Sequence, residues 1–422
     1  MSMQRFVIEG GKKLTGTVDI SGAKNSALPI IAASILTDKK VILENVPDLV
    51  DVRTMIELIE YLGANVEFNR NTLRIHTPRI RKIEAPYDIV RKMRASYYAL
   101  GALVARENRA RVSFPGGCAI GPRPIDLHIK GLQALGTNID IEDGYINAHV
   151  RKLRGQEVHI QGPKGTSVGA TINVMIAAAR ARGITKISPA ACEPEVVDVA
   201  NFLNTIGCSV SGQGTHTITV RGRFSSVKVT YRIIPDRIEA GTFAVAGAIT
   251  RGNITLRNCQ QQHLKSVLDK LEEIGVQIKT NMNETEVTGK QEMHATDIFV
   301  APYPGFPTDM QSQFMALLSI VSGTSTIKET IFENRFMQAI ELMRMGAKIT
   351  IEGDTAVIKG VKRLSGATLM ASDLRASAAL VLAGLVAKGK TVVRRIYHLD
   401  RGYEKFEHKL RSLGVRIKRQ TE

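Results

Sequence analysis

Apolar positions along this chain fall into a pattern that repeats six times. Each round opens with a stretch that has almost no polar face: 27–36, 95–105, 168–179, 240–249, 310–321 and 376–386. A short β-branched run follows, then a loop, an amphipathic helical pattern, and two short runs separated by a turn. In the fourth round the helix, run, second helix and next run are 238–249, 253–256, 263–274 and 276–278. A helix apolar on every side has to be buried, whereas one with a single apolar stripe covers a core from outside. Every amphipathic pattern closes on an apolar residue followed by Gly: Leu62-Gly63, Leu135-Gly136, Ile206-Gly207, Ile274-Gly275, Met345-Gly346 and Leu413-Gly414. These glycines lie 73, 71, 68, 71 and 68 residues apart. Gly just past a helical pattern is the usual left-handed stop. A repeat of this kind decides the architecture. It predicts an α/β fold of two inside-out α/β barrel domains, three repeated units in each, with apolar helices inside and sheets and amphipathic helices outside.

The residues that head the apolar helices add chemistry to this frame. Lys24, Arg94, Arg237 and Arg375 stand at four of the six helix starts, where the helix dipole disfavours cations. That placement predicts an anion at those starts, since free N–H groups there bind anions readily. Ser167, Thr308 and Asp373 read as ordinary N-terminal caps. With Thr308 available as the cap, the neighbouring Asp309 is a functional candidate. A second set of polar residues heads the amphipathic helices, among them Asp51, Cys118, Arg123, Asp126, Glu195, Glu333, Arg335 and Arg401.

The loop from Phe114 to Asp126 stands out from its five counterparts. It packs three glycines and three prolines around Cys118 and Arg123, so it is shaped rather than slack. A thiol beside a fixed positive charge is stabilised as the reactive thiolate, and long shaped loops on rigid scaffolds carry function. Cys192, Cys208 and Cys259 read as packing residues, and His128 as a supporting residue near the site.

Composition narrows the partners. The 422 residues suffice for two large domains, and 44% are hydrophobic, as in an ordinary globular chain. Four scattered cysteines without a CxxC pair argue against a disulfide framework or a zinc site. Residues 1–13 lack the apolar core of a signal peptide, and no apolar run is long enough to span a bilayer, so the cytoplasm is the expected compartment. A net charge of +17 implies anionic company. The absence of Trp and the few other aromatics weaken a single-strand binding platform.

Taken in order, several of these motifs resemble the UDP-N-acetylglucosamine enolpyruvyl transferases of the enolpyruvyl transferase family. They are Gly22-Ala23-Lys24-Asn25-Ser26-Ala27, Met93-Arg94-Ala95-Ser96, Gly116-Gly117-Cys118-Ala119-Ile120-Gly121-Pro122-Arg123-Pro124 and Ser167-Val168-Gly169-Ala170-Thr171. Pro235-Asp236-Arg237-Ile238-Glu239, Phe306-Pro307-Thr308-Asp309-Met310-Gln311, Glu333-Asn334-Arg335-Phe336-Met337, Asp373-Leu374-Arg375-Ala376-Ser377 and Asp400-Arg401-Gly402-Tyr403-Glu404 complete the series. The resemblance implies one domain over 24–234 and a second over 235–422 joined by 1–23, closing over the substrates. It implies transfer of enolpyruvyl from phosphoenolpyruvate to the sugar 3′-hydroxyl by addition, then elimination of phosphate.

The same resemblance implies residue roles. Cys118, Asp309, Lys24 and Arg401 are the catalytic candidates; Lys24, Asn25, Arg123, Arg375 and Arg401 would hold phosphoenolpyruvate. Arg94, Arg123, Pro124, Ile125, Asp126, Leu127, Ser167, Val168, Gly169, Asp309, Ile331, Phe332 and Arg335 would surround UDP-N-acetylglucosamine, with Asp51 nearby. Cys118 would protonate phosphoenolpyruvate or aid product release, and would be the site alkylated by fosfomycin. No cofactor or metal, no nucleic-acid or membrane partner, and a monomeric chain are expected. Two alternatives remain open. A shikimate-type enolpyruvyl transferase shares the fold, but the loop cysteine is not part of its pattern. A basic nucleic-acid-binding protein would show tight binding that falls steeply with salt.

Overall fold

The computed structural model describes residues 4–114, 125–222, 224 and 227–421. Cys118, Arg123 and Pro124 lie outside the described residues. The described residues form two compact units, one within 22–114 and 125–234 and one combining 4–21 with 235–421; they are called the first and second unit below. Each has a hydrophobic core of its own.

Three apolar helices fill the centre of each unit. In the first unit they are Lys24–Ala33, Tyr98–Glu107 and Val168–Ala178. In the second they are Arg237–Ile249, Gln311–Leu318 and Leu374–Val386. Within each unit the three pack against one another, and nearly every residue on them is buried, as helices without a polar face require. Two start later than the apolar pattern predicts. Short 3-10 turns, Arg94–Tyr97 and Thr308–Met310, carry the head residues Arg94, Thr308 and Asp309 ahead of the α-helices.

The amphipathic helices Val50–Leu62, Asp126–Ala134, Pro194–Thr205, Lys265–Ile274, Met337–Arg344 and Phe406–Ser412 follow as the pattern predicts. All six repeat glycines adopt positive φ, between 94° and 118°. The pattern therefore located each left-handed stop.

Six four-stranded sheets share one connectivity. In each, the first two strands run parallel and the other two pairings are antiparallel. One sheet of the first unit orders Val229–Arg232, Lys40–Glu44, Thr72–His76 and Asn65–Asn69. Its counterpart in the second orders Thr368–Met370, Lys390–Arg394, Gln4–Glu9 and Arg416–Thr421. Buried and exposed residues alternate along such strands, as in Thr72–His76 and Lys390–Arg394, so one face covers the helices. Among the described residues the strands form three open four-stranded sheets per unit, with a two-stranded pair, Gln161–Gly162 and Gly165–Thr166, added in the first, and not a closed barrel of strands.

The chain passes between units at 21–22 and again at 234–235. Within the first unit Ala23 N donates to Ile234 O at 2.7 Å; within the second, Asp236 N donates to Ser21 O at 2.8 Å. Lys24 and Arg237, two of the helix-head cations, follow these crossings directly.

Candidate active site

In the second unit the 3-10 turn Thr308–Met310 presents Asp309 at the head of a buried helix. Arg335 Nη2 donates to Asp309 Oδ1 at 2.7 Å, and Arg375 Nη2 donates to Oδ2 at 2.8 Å. The two guanidinium side chains are only 3% and 5% exposed, against 28% for the carboxylate. The acid therefore faces outward from a pair of buried cations. Arg335 Nε is buried without a hydrogen-bond partner among the described residues. Arg375 sits over the Tyr403 ring. Burial works against its charge, but Asp309, Tyr403 and Asp236 outweigh that and raise its pKa.

Thr308 is not the cap its position suggests. Its hydroxyl donates to Glu329 Oε2 at 2.8 Å instead of bonding into the helix. The interior behind Asp309 is polar where the sequence reads as apolar. Gln313 Nε2 donates to Asp309 O and Thr242 Oγ1, both at 3.0 Å, and the Tyr403 hydroxyl lies 2.8 Å from Thr242 Oγ1. These bonds satisfy groups that would otherwise be costly to bury.

Arg401 ends the 3-10 turn Ile396–Arg401. Its neighbour Asp400 is gripped by both terminal nitrogens of Arg419, at 2.8 and 2.7 Å. Arg419 also donates to Glu407 from Nε and Nη2, and to Gln4 from Nη1. All five of its N–H donors are used, a geometry only Arg provides. Burial, then the Arg401 charge, lowers the pKa of His398 on the same turn.

The first unit holds the remaining candidates. Lys24 Nζ donates to Asp51 Oδ2 at 3.2 Å, with both side chains largely buried. Asn25 beside it is exposed. Ser167 caps Val168–Ala178 by accepting from Ala170 N, as predicted. Gly169 lies against His128: a Cβ there would sit 3.0 Å from His128 Cε1 and Nε2. His128 is buried between Tyr97 and Asn173. Gly101 N donates to Asn173 Oδ1 at 2.9 Å, which turns the amide nitrogen toward His128 Nδ1 at 3.2 Å. Nδ1 is therefore the acceptor, and the proton belongs on Nε2, facing Gly169. Burial, with Arg94 contributing, lowers the His128 pKa to about 3. Ile125 is buried; Asp126 and Leu127 begin the following helix.

The structure thus brings Asp309, Arg335 and Arg375 together in one unit, and Lys24 with Asp51 in the other. Two helix-head cations, Lys24 and Arg375, meet carboxylates of the chain itself, so an external anion is not needed to explain their placement. Sequence reasoning passed over Glu329, Gln313, Tyr403 as a network member, Asn173 and Arg419. A buried Glu at the end of an alternating strand was the one available signal. Among the described residues, no group of three or more His, Cys, Asp or Glu could hold a metal ion. No helix there is long and apolar enough to cross a membrane.

Comparison with known proteins gives a consistent result. Residues 8–410 match the family described as EPSP synthase (3-phosphoshikimate 1-carboxyvinyltransferase). A UDP-N-acetylglucosamine 1-carboxyvinyltransferase from Desulfosudis oleivorans is 54% identical over 419 residues, 99% of this chain and 100% of its own. The protein of that name from Geobacter metallireducens is 51% identical, with 100% of both chains covered. Among solved structures, the enolpyruvyl transferase NikO from Streptomyces tendae matches with a TM-score of 0.90 at 24% identity, over 100% of both chains. An EPSP synthase from Acinetobacter baumannii matches at 0.78 and 15% identity, over 99% of this chain and 100% of its own. At such identities these two likenesses speak for the fold alone.

Proposed function

The chain belongs to the enolpyruvyl transferase family, in the group of UDP-N-acetylglucosamine 1-carboxyvinyltransferases, and from this premise we propose how its residues divide the work. The reaction transfers the enolpyruvyl group of phosphoenolpyruvate to the 3′-hydroxyl of UDP-N-acetylglucosamine and releases phosphate, a step of peptidoglycan synthesis. The observation that carries the assignment is 54% identity sustained over 99% of the chain.

In our reading Lys24, Arg123 and Arg401 hold the phosphate and carboxylate of phosphoenolpyruvate, with Asn25 and Arg375 beside them. Guanidinium forks match both groups in a bidentate manner. Cys118 delivers a proton to C3, which leaves an oxocarbenium-like C2 for the sugar 3′-oxygen to attack. Loss of a proton from C3 and of phosphate from C2 of the tetrahedral adduct then re-forms the double bond and gives the enol ether product. Asp309 orients the 3′-hydroxyl and takes its proton as the C2–O bond forms; a carboxylate that already holds two guanidinium partners is a weak base, so the proton leaves only as the oxocarbenium-like C2 draws the oxygen in.

Arg94, Arg123, Pro124, Ile125, Asp126, Leu127, Ser167, Val168, Gly169, Ile331, Phe332 and Arg335 surround the sugar nucleotide in the same reading. The N-terminus of Val168–Ala178 supports the diphosphate assignment, since such starts favour anions. Asp51 holds Lys24 in place. The reading includes two domains, 24–234 and 235–422 with 1–23, a cytoplasmic monomer, no cofactor, and covalent inhibition by fosfomycin at Cys118. Phosphate release with phosphoenolpyruvate and each acceptor tests it. Turnover requires UDP-N-acetylglucosamine; turnover with shikimate 3-phosphate alone overturns it.

A further inference from the structure

Glu329 is a buried acid with no part in the roles assigned above, and it touches two of the segments that carry them. It lies just beyond the strand Thr324–Lys328 and is 3% exposed. Oε2 accepts from the Thr308 hydroxyl at 2.8 Å. Oε1 accepts from the backbone N–H of Ile331 at 2.8 Å and of Phe332 at 3.2 Å. One carboxylate thereby joins the turn that presents Asp309 to the loop that presents Ile331, Phe332 and Arg335. Burial raises its pKa, with the Thr308, Ile331 and Phe332 hydrogen bonds and the nearby Arg335 opposing the rise.

Burying a carboxylate is expensive unless its oxygens are satisfied. Here the satisfaction comes from groups whose positions matter. The Asp309–Arg335 ion pair joins the same two segments through their side chains. Glu329 sets the backbone on both sides of that pair. We propose that Glu329 is a positioning residue that fixes the 331–332 loop for the sugar nucleotide and, through Thr308, the turn that aims Asp309.

This rests on the sugar-nucleotide reading of Ile331 and Phe332. If the unaltered protein releases no phosphate with UDP-N-acetylglucosamine, that reading fails. The proposal has its own readouts. Glu329→Ala is expected to raise the KM for UDP-N-acetylglucosamine about tenfold and to leave that for phosphoenolpyruvate within about twofold. Glu329→Gln keeps an acceptor for the two N–H groups and a donor for Thr308 Oγ1, so it recovers most of that loss. Thr308→Val, which cuts only the link toward Asp309, lowers kcat with little change in either KM. Amide exchange at Ile331 and Phe332 is slow in the parent and the Gln variant, and fast in the Ala variant.

Equal rises in both KM values, a Gln variant as impaired as Ala, a silent Thr308→Val, or unchanged exchange at 331–332 each overturn the proposal. Should Glu329→Ala fail to fold, the Gln variant and Thr308→Val decide it on kcat, KM and exchange alone.

Discussion

Asp309 and Arg375 lie 66 positions apart in the chain, yet the arginine's Nη2 donates to Asp309 Oδ2 at 2.8 Å while Arg335 takes the other oxygen. Asp309→Asn breaks this symmetry, because an amide nitrogen cannot accept from a guanidinium. Truncating one side of a buried pair costs about 3–5 kcal/mol; with the carboxylate partly exposed, about 2 kcal/mol is expected in urea unfolding. The kcat should fall at least about 100-fold. A variant within tenfold of the parent rate removes Asp309 from the chemistry.

Cys118 separates proton delivery from alkylation. Cys118→Asp supplies an acidic proton but not a sulfur nucleophile, so it should keep turnover and lose inhibition by fosfomycin. Cys118→Ala supplies neither and should cripple product formation by about 100-fold or more. Fosfomycin inhibition of the Asp variant equal to the parent's removes this thiol as the alkylation site, and turnover of the Ala variant equal to the parent's removes it as the proton donor.

The sequence made the architecture readable because burial follows periodicity. Helices such as Val168–Ala178 have no polar face to mislead, and six glycines at positive φ mark the repeat. Partners across the chain were another matter. Lys24 and Arg375 at helix starts suggested a bound anion, whereas Asp51 and Asp309 supply the negative charge from 27 and 66 positions away. Thr308 fits the cap pattern, and only the folded position of Glu329 diverts its hydroxyl. Asn173, a polar residue on the otherwise apolar helix Val168–Ala178, is matched only by partners distant in the chain, Gly101, Tyr97 and His128. The surplus charge has a partial location too. The outward face of the terminal sheet carries Arg5, Lys390, Arg394, Arg416 and Lys418, with Glu9 as its acid.

Gly22 and Gly136 should respond to Ala for different reasons and by different amounts. A Cβ on Gly22 would fall 1.7 Å from the Asn45 carbonyl oxygen, so the backbone two residues before Lys24 would have to move. Gly136 has open space around it but a φ of +94°, which costs an L-residue about 1–2 kcal/mol. Denaturant titration should show Gly22→Ala losing about 4 kcal/mol or failing to fold, and Gly136→Ala losing about 1–2 kcal/mol. Equal losses would mean the Gly22 contact relaxes freely.

His128 and Asp198, both buried in the first unit, make opposite contributions to stability below neutral pH. Burial, with Arg94 adding to it, lowers the His128 pKa from 6.5 to about 3. Below about pH 6.5 the unfolded chain therefore takes up a proton that the folded chain refuses. Stability falls by about 1.4 kcal/mol per pH unit toward pH 3 on this account. Asp198 accepts from the Tyr231 hydroxyl at 2.6 Å and from Ile234 N at 3.4 Å, but burial dominates and raises its pKa from 3.8 to about 6. Between about pH 6 and 4 the folded chain holds a proton that the unfolded chain has lost, so acidification stabilises. The two slopes offset each other in the parent protein. Urea unfolding from pH 7 to 4 should show His128→Gln gaining stability relative to the parent as the pH falls. Asp198→Asn should lose stability relative to the parent over the same range. Parallel curves for all three proteins would mean that neither group titrates differently in the folded chain.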